Sequence, residues 1–93
     1  MNNINFNEWT FSGTVVYLRL LDKDFGASMR LKCDESNVEI GCLLTKDVWK
    51  IAEKKCVKLG SVITLSGRME NFPNGTSKTP KTMFIAECVM EVG

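Results

Sequence analysis

Apolar and polar residues alternate from Trp9 to Leu20 (WTFSGTVVYLRL), which is the period of a strand with one face on a core. The phase changes midway. Trp9, Phe11 and Val15 are apolar against Thr10, Ser12 and Thr14, whereas beyond Val15 the apolar set is Val16, Leu18 and Leu20. Gly13 beside that change predicts a bulge or sharp bend, the device by which one strand curls around a small barrel. The turn composition of LLDKDFG then leads to ASMRLKC, with Met29, Leu31 and Cys33 on one face and Arg30 and Lys32 on the other. A polar DESN turn precedes VEIGCLL, in which Val38, Ile40, Cys42 and Leu44 share a face.

From Thr45 to Leu59 (TKDVWKIAEKKCVKL) the period becomes helical, with Val48, Ile51, Ala52, Cys56 and Leu59 as the apolar stripe. Thr45 or Asp47 is placed to cap its start and Gly60 to end it. SVITLSGRME reads as a fourth strand, NFPNGTSKTP as a loop holding both prolines, and TMFIAECVMEV as a fifth strand. Three strands, a helix and two strands predict an all-β chain with one helix: a five-stranded OB-fold barrel, helix between strands 3 and 4. The 93 residues suffice for one domain, residues 1–93, and no second core.

Composition is ordinary for a globular domain, 44% hydrophobic and 25% charged, which excludes disorder and fibrous repeats. The apolar runs are too short to span a bilayer, and the polar start MNNINFNEW lacks the apolar stretch of an export signal. A cytoplasmic protein without membrane association is expected. Four cysteines, Cys33, Cys42, Cys56 and Cys88, are widely separated and histidine is absent, so no metal-ligand spacing exists and no cofactor is implied. Buried reduced thiols are the expectation for them. Twelve Lys and Arg stand against eleven Asp and Glu, a net charge of +1, so any anion-binding surface must arise from local clustering.

The segment KKCVKLGSVITLSGRM resembles the helix end and fourth strand of bacterial and phage single-stranded-DNA-binding proteins. AECVMEVG resembles that family's fifth strand, and TFSGTV its first-strand pattern. GSVITLSG followed by a polar loop with Gly and Lys is also similar to the primosomal replication-restart OB proteins, which are dimeric and tailless. The resemblance implies an OB fold, binding of single-stranded DNA, and assembly as a homodimer or homotetramer; the sequence leaves the choice between DNA and RNA open. It departs from the family in two respects: the third strand lacks the tryptophan frequent there, and the sequence ends at Gly93 where family members run on to an acidic tip. A bare binding core is the resulting expectation, serving replication, recombination or repair.

Sequence-tolerant binding of a single strand needs cations along the phosphates and aromatic faces for the bases. A first hairpin with Leu20 opposite Met29 and Leu18 opposite Leu31 would set Arg19 against Arg30 and Tyr17 against Lys32. Two facing arginines repel without an anion between them, so Tyr17, Arg19, Arg30 and Lys32 form one candidate patch. The alternative is a solvated face relieved by nearby acids. Arg68 leads into the loop before strand 5, which carries Phe72, Lys78 and Lys81. In the resembled family an aromatic at about the place of Phe72 stacks on a base; the alternative tucks it under the loop as a barrel lid. Phe25, beside Gly26, is a lesser aromatic candidate.

Trp9 and Phe11 read as core, and Trp49 as a plug of the barrel end or part of a subunit contact. Lys46, Lys50, Lys54 and Lys58 recur at four-residue spacing and read as a solvated helix face. On strand 5, Met83, Ile85 and Val89 share the nominally outer face with Glu87 and Glu91, which predicts a subunit interface. No nucleophile-and-base spacing, phosphate loop or HExxH motif is present, so catalysis is not expected. The rival readings are an OB adaptor that binds protein and an oligosaccharide binder.

Overall fold

In the computed structural model the described residues are 8–72 and 81–93, without the side chains of Phe72 and Lys81. The elements are β1 (Glu8–Leu20), β2 (Ala27–Cys33), β3 (Val38–Leu44), α1 (Lys46–Lys54), β4 (Val62–Phe72) and β5 (Lys81–Val92). They close into one barrel in the order β1-β2-β3-β5-β4, with α1 between β3 and β4. The fold is a five-stranded OB barrel.

Closure depends on β1 serving two neighbours. Its first half, Glu8–Thr14, pairs with β4, and Thr14–Leu20 pairs with β2. The predicted phase change is present, but the extra residue is Val16, which falls between the paired positions Val15 and Tyr17 and is 44% exposed. Gly13 instead marks a close approach: a Cβ there would lie 2.7 Å from the Lys32 carbonyl oxygen. The turn pairs Leu20 with Ala27, so the hairpin register differs by two residues from the sequence-based expectation, and the looped-out Val16 shifts it by one more towards Thr14. Leu18 faces Met29, Tyr17 faces Arg30, Arg19 faces Ser28 and Thr14 faces Lys32. Arg19 and Arg30 are therefore not opposed, and Leu20, paired with Ala27, is 62% exposed and not part of the core.

Met29, Leu31, Cys42, Leu44, Ile63 and Leu65 fill the barrel, each 2% exposed or less. Helix α1 closes one end. The Thr45 hydroxyl accepts from the Val48 N–H at 3.2 Å, as expected of its cap, and Val48 and Ala52 are its buried residues. The helix stops earlier than its apolar spacing predicts. Cys56 takes a left-handed conformation (φ 61), its N–H donates to Glu53, and the Val57 N–H reaches back to the Ala52 carbonyl at 3.0 Å. This pair of bonds is a Schellman stop, and it sends Val57 into the core in place of the predicted Cys56 and Leu59. Ile51 and Leu59 are exposed, at 47% and 61%.

Strand β5 also departs from strict alternation. Glu87 and Met90 have no partner in the β4 register, so the facing switches twice. Val89 and Val92 thereby pack against the core, and Ile85 is fully buried. The expected outer apolar face of Met83, Ile85 and Val89 does not exist as a surface. Gly67 permits the first bulge, since a Cβ there would sit 1.8 Å from the Ile85 carbonyl oxygen. All four cysteines are free; Cys42 is buried and Cys33 half-buried, but Cys56 and Cys88 are exposed, contrary to the expectation of four buried thiols. Among the described residues, no helix is long and apolar enough to cross a membrane.

Candidate nucleic-acid interface

The three-stranded meander sets residues in outward rows. Tyr17, Arg30 and Gly41 form one row, Arg19, Ser28 and Leu43 the next, and Thr14, Lys32 and Glu39 lie on the other side. Successive rows are about 7 Å apart along the strands.

Strand β5 meets β3 only at Cys42–Leu44, in parallel with Phe84–Ala86. Short of that point the two strands diverge, and a groove of about 580 Å³ opens between them. Tyr17 and Arg30 line it from β1 and β2, Gly41 from β3, and Thr82, Met83 and Phe84 from β5. This is the strand 2–3 face, bounded by the strand that emerges from the β4–β5 loop, where OB barrels hold extended ligands.

Each lining group has a distinct role. Tyr17 is 42% exposed and offers a ring face with a polar tip. Gly41 bears no side chain, so the Arg30 guanidinium lies across it: a Cβ on Gly41 would be 3.5 Å from Arg30 Nη1. Arg30 Nε donates to Glu39 Oε1 at 2.5 Å, which holds the guanidinium along the sheet. Phe84 is fixed from below by Trp9, edge to face at 5.7 Å between centroids, and the Trp9 indole N–H donates to the Arg68 carbonyl at 2.9 Å. Thr82 donates to Asn71 Oδ1 at 2.8 Å, tying the start of β5 to the end of β4. An exposed ring, a flexible thioether and a guanidinium around an open floor suit a flat group carrying an anion.

The predicted site residues thus separate. Tyr17 and Arg30 share the groove. Lys32 is in the adjacent row opposite Glu39, and Arg19 is exposed one row away on the other side. Arg68, on β4, does not line the groove; it binds Glu70 Oε2 at 2.6 Å and Glu87 Oε2 at 2.5 Å. Glu70 first, and then Glu87, holds its guanidinium pKa above the ordinary value. Two carboxylates on one guanidinium leave little positive potential for a further anion. Phe72 and Lys81 form the β4–β5 rung next to the loop, their side chains lying outside the described residues, as does the whole of Lys78.

The groove also contains residues that sequence reasoning did not select: Gly41, Thr82, Met83 and Phe84. A glycine interrupting the apolar alternation of VEIGCLL was the available signal, because Gly within a strand marks a bulge or a close approach. Phe25 is half-buried beside the β1–β2 turn, and Trp49 is packed against the core at the barrel end. Lys46, Lys50 and Lys54 are exposed on the helix, and no cluster of described residues could hold a metal ion.

The chain is similar in structure to a Plasmodium falciparum SSB in its complex with ssDNA, with 18% identity, 91% of this chain and 90% of that chain covered, and a TM-score of 0.59. No protein-family model matches the sequence, and no curated protein matches it.

Proposed function

We propose that the protein binds single-stranded DNA with little sequence preference, through the groove between β3 and β5. The observation that carries this reading is the joining of an exposed Tyr17 ring and the Arg30 guanidinium over the open floor at Gly41. A strand laid across this face places a base on Tyr17 or Met83 and the neighbouring phosphate on Arg30, the combination that sequence-tolerant binding requires. The similar fold of an SSB bound to ssDNA supports the same choice of ligand. Lys32 and Arg19, in the flanking rows, extend the cationic track to either side. Phe72, at the end of β4, is the further aromatic of this reading, and Lys78 and Lys81 are its further cations.

In this reading the protein protects or organises exposed single strands during replication, recombination or repair, as a homodimer or homotetramer in the cytoplasm and without catalysis. Its near-neutral net charge limits affinity per protomer, and assembly offsets this by engaging one strand at several sites.

The test is binding of labelled oligothymidine and of a duplex across a salt series. The reading requires preference for the single strand and an affinity that falls with salt, by about 0.7 logarithmic units per tenfold salt for each phosphate engaged. Equal binding to duplex, or a flat salt response, refutes it.

A further inference from the structure

Arg30 is already engaged by an anion of the protein's own. Its Nε donates to Glu39 Oε1 at 2.5 Å, and Glu39 also stands directly opposite Lys32 in the β2–β3 ladder. One carboxylate therefore sits among two of the cations that would track a phosphate backbone.

The pair is solvated, with side chains 52% exposed at Arg30 and 37% at Glu39, so it contributes little to folding. It has a larger consequence for a ligand. Phosphate and carboxylate compete for the same guanidinium edges, because both are anions whose paired oxygens accept charge-assisted hydrogen bonds from arginine. When phosphate takes Arg30, the released carboxylate remains beside the strand, repels it and holds back a counterion.

We propose that Glu39 is a built-in competitor for phosphate, occupying Arg30 in the free protein and lowering both the affinity for single-stranded DNA and its salt dependence. This rests on the single-strand reading above and adds a control element to it. The groove is then tuned for moderate, reversible binding, with one acidic residue setting the balance.

Glu39→Gln keeps the side-chain shape and an oxygen able to accept from Arg30 while removing the charge. Measured with oligothymidine at low salt, the variant binds about 2- to 5-fold more tightly than wild type, within the range spanned by removing one exposed ion-pair partner. Its salt slope is steeper by about 0.7, one additional phosphate fully counted, so the two proteins converge as salt rises. Glu53→Gln on helix α1 changes net charge equally but away from the groove, and leaves affinity within about twofold. Equal or weaker binding by Glu39→Gln overturns the proposal, weaker binding marking Glu39 as a residue that positions Arg30 for the ligand. An equal gain in Glu53→Gln overturns it as well, since general charge would then suffice. Wild-type protein that does not prefer oligothymidine over duplex refutes the underlying reading; wild-type preference without a gain in Glu39→Gln refutes only this one.

Discussion

Filling the floor of the groove separates binding from folding. Gly41 lies mid-strand with no positive φ, so a β-branched residue suits its backbone. A Cβ added there meets Arg30 Nη1 at 3.5 Å and Arg30 Cγ at 3.9 Å, both ordinary contacts. The γ-carbons of valine reach about 1.5 Å further, which brings one to roughly 2 Å from the guanidinium and forces it aside. Losing the solvated Arg30–Glu39 pair costs about 0–1 kcal/mol, while replacing a strand glycine returns about 0.5–1 kcal/mol. Gly41→Val is thus close to neutral for stability, with a melting temperature within a few degrees of wild type. Binding suffers more, because the displaced guanidinium and occupied floor remove one nucleotide's contacts, about 1–3 kcal/mol or some 5- to 150-fold in affinity. Thermal denaturation followed by circular dichroism reads the first quantity and fluorescence anisotropy with labelled oligothymidine the second. Unchanged affinity in a well-folded Gly41→Val protein would remove the groove from the binding site, and an unfolded variant would refute the open floor inferred at Gly41.

Arg68→Ala, at the arginine occupied by Glu70 and Glu87, should leave oligothymidine affinity within about twofold while Arg30→Ala loses about 1–2 kcal/mol; equal losses would show that both surfaces bind. Cys56→Gly relieves a left-handed non-glycine residue at the end of α1 and should stabilise the protein by about 1 kcal/mol in urea denaturation, a loss of stability contradicting the Schellman stop. Burial pushes the Cys42 thiol up to about 12 from an ordinary 9.0. The folded thiol stays neutral while the unfolded one ionises, so its stabilising contribution is complete below pH 9 and is lost as pH rises towards 12, by up to about 1.4 kcal/mol per pH unit. Stability profiles of wild type and Cys42→Ala between pH 8 and 10 test this, since only wild type carries that slope; parallel profiles would show that Cys42 ionises equally in both states.

Element order was legible because each strand announces itself within a few residues. The alternation of β2, the period change at Thr45 and the proline-bearing loop are local signals, and the OB barrel follows from their sequence. Register was harder to read. The phase flip in β1 marks an extra residue, but the flip alone does not say whether Gly13 or Val16 absorbs it, and it says nothing of the turn, whose Leu20–Ala27 pairing sets Tyr17 against Arg30 instead of Lys32. Helical spacing likewise runs past the true end of α1, since Cys56 rather than a glycine adopts the left-handed stop. In β5 the bulges at Glu87 and Met90 have no marker of their own, and the glycine that permits the first lies on the neighbouring strand.

The candidate site shows the same division. Tyr17 and Arg30 stood out as polar or charged residues on the outer side of apolar strands. Thr82, Met83 and Phe84 did not, because the groove exists only where the parallel β3–β5 contact ends, a relation between segments some forty residues apart in the chain. The carboxylates around Arg68 were hidden for a related reason: the second of them, Glu87, reaches it through a bulge on the adjacent strand.

The central claim is that a single strand lies in the groove between β3 and β5. Titrating isotope-labelled protein with oligothymidine while following amide chemical shifts tests it residue by residue. The account predicts the largest changes at Tyr17, Arg30, Gly41 and Thr82 to Phe84, with Lys46 to Lys54 nearly unmoved. Changes concentrated on α1 or around Arg68 and Glu87, or a titration without changes, would contradict it.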